Sequence, residues 1–180
     1  MRPHIIPKPG LPCAAGPLSV ENRDVSASSS HFLHAGQVFV SAEGQSVVMI
    51  LGSCVGICIW DPANAVGGAT HFLLPSWDGK GTQSARYGDV AVSVLLLRLL
   101  EAGADRGQLR AKVFGGGCLF DFLRETHAKS EQHLGSRNIE VALQLLTKAQ
   151  VQIVSTQAGK DRGQRIVFRT DNGEALMKTL

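Results

Sequence analysis

The sequence predicts an α+β fold, with helices packed on one side of a largely antiparallel or mixed sheet system. Three observations predict it. Short apolar runs rich in β-branched residues recur between Gln37 and Leu74, each bounded by glycine, proline or a polar turn. The connections between them are short, which suggests a meander of antiparallel strands. A helical pattern, a strand, a second helix and two further strands then follow in order. The 180 residues, 44% hydrophobic and 18% charged, suit one domain with a substantial core.

Residues 1–35 are expected to form a Pro/Ser-rich flexible arm. Pro3, Pro7, Pro9, Pro12 and Pro17 precede the run Ser28-Ser29-Ser30, and neither helix nor strand pairing is sustained by that composition. A single domain over 36–180 follows. Gln37 to Ala42 reads as a first strand, Ser46 to Leu51 as a second, Cys54 to Trp60 as a third and Gly67 to Leu74 as a fourth, closed by Pro75. Asp61-Pro62-Ala63-Asn64 is a turn signal. Ser76 to Arg86 is polar and reads as a surface loop.

Asp89 is the expected N-cap of the first helix, whose apolar face is Val90, Val94, Leu97 and Leu100 to Ala104, with Gly103 as its end signal. Leu109 to Phe114 is a strand leading into Gly115-Gly116-Gly117, which reads as a tight strand exit and lacks the Lys-Ser/Thr ending of a phosphate loop. Leu119 to Leu123 can begin a short helix. Glu125 to His133 is polar, and His127 and His133 read as exposed. Gly135 to Ile139 leads into the second main helix. Gln152 to Thr156 and Arg165 to Phe168 are strands, and a short tail follows Asp171-Asn172-Gly173.

Composition also narrows the function. A formal net charge of +3, with no basic cluster interleaved with aromatics, gives no support for nucleic-acid binding. No apolar run is long enough to span a bilayer, and the first residues lack the apolar core of a secretory signal, so the expectation is a cytoplasmic protein. The 4 cysteines (Cys13, Cys54, Cys58 and Cys118) are then expected as reduced thiols. Their spacing is not that of a metal site, and neither a metal nor another cofactor is expected.

Cys54 and His71 carry the chemistry. Cys54 follows a Gly-Ser bend that closes an apolar run, where a thiol can be presented to solvent. His71 lies in a strand expected to neighbour the Cys54 strand. A thiol beside an imidazole can attack an amide or ester carbonyl. An unassisted thiol, with a pKa of about 8.5, supplies little thiolate at neutral pH. Backbone N–H groups freed at the bend can stabilise an oxyanion. The bland rival is that both residues are core residues, as Cys58 and Cys118 are read to be.

The ordered segments Leu51-Gly52-Ser53-Cys54-Val55, Trp60-Asp61-Pro62, Gly67 to Pro75, Tyr87-Gly88-Asp89, Lys112 to Gly116, Gly135 to Ile139 and Gly163 to Phe168 resemble the CheD family, the bacterial chemoreceptor glutamine deamidases. The resemblance runs roughly from Gln37 to Gly173. It implies a layered α/β/β sandwich and a protein-glutamine glutaminase that converts receptor glutamines to glutamates, with methyl-ester hydrolysis linked to some members. The family's nucleophile falls on Cys54 and its histidine on His71. The window of the family's triad threonine reads Val47-Val48-Met49-Ile50 here and has no hydroxyl. Ser46, Ser53 or a backbone carbonyl are the alternatives for holding the imidazole, and Gly52 and Ser53 are candidates for an oxyanion role. The partners implied are methyl-accepting chemotaxis receptors and a CheC-type phosphatase. The alternative function is a non-catalytic or weakly catalytic adaptor that docks on either.

Overall fold

Among the described residues, two β-sheets stack face to face, and two α-helices cover the outer face of one of them. The computed structural model describes residues 30–117, 133–159 and 162–180. The strands are β1 (Ser30–Phe32), β2 (Gln37–Ser41), β3 (Ser46–Leu51), β4 (Val55–Asp61), β5 (Val66–Phe72), β6 (Arg110–Gly115), β7 (Gln152–Ala158), β8 (Gln164–Arg169) and β9 (Ala175–Thr179). The helices are α1 (Gly88–Glu101) and α2 (Leu134–Lys148). One sheet has the order β1-β3-β8-β9, the other β2-β5-β4-β6-β7. Pairing is antiparallel throughout except for β1 with β3 and β6 with β7. The mixed α/β/β layering is therefore the architecture the chain adopts.

β4 explains the layering. All seven of its residues are buried because both its faces are covered. Val55, Ile57 and Ile59 join a core with Ala91, Val92, Leu95 and Leu99 of α1 and Ala142 and Leu146 of α2. The alternate residues Cys58 and Trp60 face the other sheet, with Met49, Leu51, Phe114, Ile166 and Phe168. β5 follows the same parity: Val66 and Phe72 lie on the helix side and Ala69 between the sheets. His71 therefore faces the second sheet.

Several expectations need correction. The meander is absent, because β2 pairs with β5 and β3 crosses into the other sheet to pair with β8; only β4 and β5 form a hairpin of consecutive strands in this region. Asp89 is not the N-cap of α1. That position is Tyr87, and the Asp89 carboxylate accepts from the N–H of Trp77 at 3.1 and 3.2 Å, tying the 76–86 loop to the helix. His133 is the half-buried N-cap of α2 and accepts from the Ser136 N–H at 3.2 Å. The segment after Gly173 is strand β9, paired along β8. Ser30–Phe32, inside the expected arm, pairs with β3, because Leu33 fills the inter-sheet core at 0% exposure. The readings for residues 1–29, Cys118, the segment from Leu119 and His127 lie outside the described residues.

Candidate active site

Antiparallel pairing of β4 with β5 sets Val55 opposite Phe72 and Gly56 opposite His71. Cys54, one step before β4, therefore lies beside the end of β5. Its thiol is half-buried and lies beside the His71 side chain, which acts to lower its pKa. Burial, the largest influence, pushes the thiol pKa up. The His71 hydrogen bond, the backbone at Gly52, the charge of His71 and the backbone of Cys54 itself outweigh it, so the net direction is down. Cys58 shows the contrast: fully buried between the sheets, its thiol is held well above the ordinary range by desolvation.

His71 is 5% exposed. Its Nδ1 lies 3.2 Å from the main-chain carbonyl of Leu33. A carbonyl only accepts, so this contact requires a proton on Nδ1, and in the neutral ring Nε2 is then bare. Nε2 is buried and completes no well-directed hydrogen bond among the described residues, which leaves it available to the neighbouring thiol. The strand that carries the ring is fixed from β2 and the residue before it: the Gly36 N–H donates to the His71 carbonyl at 2.6 Å, and Gln37 stands opposite His71 in the ladder.

The loop that carries Cys54 is held by its carbonyls. The Gly117 N–H donates to Gly52 O and the Gly116 N–H to Cys54 O, both at 2.8 Å. The Ser53 carbonyl accepts from the Asn138 side-chain amide at 3.1 Å. The glycines of 115–117 make this possible. Gly115 has φ +88°, and a Cβ there would strike the Cys54 carbonyl. Gln164, 1% exposed, accepts from the Gly115 N–H at 3.1 Å and donates to the Gln157 carbonyl at 3.2 Å, so the strap is anchored to both sheets.

A cleft of about 280 Å³ opens over Cys54, lined by Ser53, Leu73, Leu74, Arg86, Tyr87 and Leu134. Of the residues singled out from sequence, the fold gathers Cys54, His71, Ser53 and Gly52. It does not gather Ser46, which stands at the far end of β3 opposite Ser30 and Arg169 and makes no hydrogen bond to the ring. The position of Leu33 at the imidazole has no signature in the sequence, since a main-chain carbonyl carries none. Asn138 reads from sequence as part of a helix start, whereas it is 0% exposed and reaches the Cys54 loop.

Comparison with known proteins places the chain in a family. The family model described as CheD chemotactic sensory transduction matches residues 73–179. A probable chemoreceptor glutamine deamidase CheD 1 of Anaeromyxobacter dehalogenans is 39% identical over 169 residues, covering 94% of this chain and 95% of the relative. A probable chemoreceptor glutamine deamidase CheD of Trichlorobacter lovleyi is 35% identical over 158 residues, covering 88% of this chain and 95% of the relative. Among solved structures, the hypothetical protein YfiH of Bacillus licheniformis aligns with a TM-score of 0.45 at 14% identity, over 69% of this chain and 51% of that one. With the matched model spanning more than half of its length and relatives matching nearly end to end, this chain belongs to the CheD family.

Proposed function

We propose that the protein is a chemoreceptor glutamine deamidase acting in the cytoplasm, with Cys54 as nucleophile and His71 as general base and acid. The observation that carries this reading is the half-exposed Cys54 thiol, lowered in pKa by His71, at the floor of a cleft. Related proteins bearing the deamidase name supply the reaction class.

The thiol proton passes to Nε2 of His71, and the thiolate attacks the carboxamide carbon of a receptor glutamine. A C–S bond forms, and the carbonyl π pair moves onto oxygen. The N–H groups of Cys54 and Gly52, which already lower the thiol pKa, are the donors in reach of that oxyanion. As the C=O re-forms, the C–N bond breaks and the leaving nitrogen takes the proton from His71 to depart as ammonia. Water then gives a proton to His71 and attacks the thioester, and the second collapse expels the thiolate. The products are glutamate and free enzyme. In place of the family's threonine, the Leu33 carbonyl holds Nδ1–H and so keeps Nε2 unprotonated for the first step.

Incubation with receptor cytoplasmic fragments should add about one dalton at particular glutamines, and Cys54→Ala should abolish the gain. Retention of the gain in that variant would disprove the mechanism. The adaptor reading, in which the protein chiefly docks on receptors or a CheC-type phosphatase, requires a Cys54 thiol that labels slowly at neutral pH, as Cys58 should.

A further inference from the structure

We propose that Asn138 is the positioning residue of the nucleophile loop, fixing the Ser53–Cys54 peptide so that the Cys54 N–H is presented to the cleft as an oxyanion donor. This rests on the deamidase reading above and deepens it.

The β4–β5 ladder ends at the Val55–Phe72 pair. Beyond it the strands part, because the N–H groups of Leu73 and Leu74 turn away to donate to the Arg86 carbonyl, each at 3.0 Å. Two carbonyls, Ser53 O and Leu73 O, accept no main-chain N–H there among the described residues. The Asn138 side chain enters this gap from α2. Its Nδ2 donates to Ser53 O at 3.1 Å and to Leu73 O at 2.8 Å. Both partners only accept, so the nitrogen must be on this side and the amide cannot be flipped.

The Ser53–Cys54 peptide is trans, as are the others described. In a trans peptide the C=O and the N–H point in opposite directions. Holding Ser53 O inward against Asn138 therefore turns the Cys54 N–H away from α2, toward the thiol that this N–H helps to lower. The Cys54 N–H donates to no main-chain acceptor among the described residues; its neighbour is its own thiol, and it is the group a substrate oxygen arriving at that thiol would meet. The flanking carbonyls of Gly52 and Cys54 are already bonded to Gly117 and Gly116, leaving the Ser53–Cys54 peptide as the link whose rotation Asn138 controls.

A second observation favours a functional over a stabilising role. Asn138 is completely buried, yet its Oδ1 has no hydrogen-bond partner among the described residues. An unpaired buried oxygen is a cost that a residue kept for stability alone would not carry.

The test compares two reactions of the same thiol. Alkylation by iodoacetamide needs the thiolate but forms no oxyanion. Deamidation of a receptor fragment needs both. In Asn138→Ala of the full chain, kcat for deamidation should fall about 100-fold with KM little changed, because one oxyanion donor is misdirected. The Cys54 alkylation rate should fall by less than about tenfold, since the His71 side chain, the main group lowering the thiol, is untouched and only the smaller contribution of the Cys54 N–H is turned away. Asn138→Ser, which restores a single donor, should recover part of kcat; should the alanine variant fail to fold, the serine variant carries the same comparison. Equal loss of both reactions, or an unchanged kcat beside an active wild type, would overturn the assignment of Asn138 alone. A wild-type protein that alkylates quickly but leaves receptor glutamines intact would overturn the deamidase reading and this one with it.

Discussion

At the scale of single residues, the site depends on how the two ring nitrogens of His71 are used. Nδ1 is committed to the Leu33 carbonyl and Nε2 is left for the thiol. His71→Ala removes both the hydrogen bond and the charge that lower the Cys54 pKa. Its alkylation profile should therefore shift to higher pH. The wild-type midpoint should lie below that of an unassisted thiol. Deamidation by the variant should fall by about 10²- to 10⁴-fold. Cys54 and His71 were legible in the sequence because the chemistry demands their side chains and a turn or strand end announces their placement. Leu33 was not legible, since any residue offers the same carbonyl. Asn138 was obscured for a related reason: an asparagine near a helix start is common, and only the fold shows that this one points away from its own helix.

Between elements, the same parts serve structure and site together. Gly115 ends β6 with left-handed backbone and lies against the Cys54 carbonyl. Gly115→Ala should cost about 1–3 kcal/mol in denaturant titration and should displace the loop, lowering deamidation as well. Asp61 closes β4 and receives N–H donors from Ala63, Asn64 and Asp105, plus the Asn64 amide. Burial raises its pKa; the Asn64 side chain and the three backbone donors outweigh that and hold it below the ordinary aspartate value. A depressed carboxyl stabilises the fold above its unfolded pKa and loses that contribution as pH falls through the folded value. Asp61→Ala should thus be less stable than wild type by about 1–3 kcal/mol at pH 7, with the gap closing below about pH 4. Strands β3, β4 and β5 were readable within a residue or two, because buried strands are continuous apolar runs. β9 was not, because its Leu176 is 67% exposed and the strand sits at a sheet edge where polar and apolar residues mix.

For the molecule as a whole, the two cores divide the labour. The helix–sheet core holds α2, and with it Asn138, over the Cys54 loop; the inter-sheet core includes Leu33, whose carbonyl meets His71. Phe168 is fully buried in the second core against Trp60, with ring centroids 6.2 Å apart. Phe168→Ala should cost about 3–5 kcal/mol of unfolding free energy in a chemical denaturation curve. The layered class was predictable from the order of strands and helices. The pairing of β2 with β5, and the crossing of β3 into the other sheet, were not, because short connections fit both a meander and a sandwich corner.

The main-chain grip on the imidazole has a consequence for how this enzyme can vary. A hydroxyl clamp is lost by one point change, but a peptide oxygen survives every replacement of the side chain beside it. What it does not survive is a change of chain length. Adding or deleting one residue between Leu33 and Gln37 would slide that oxygen off the ring while leaving every catalytic letter in place.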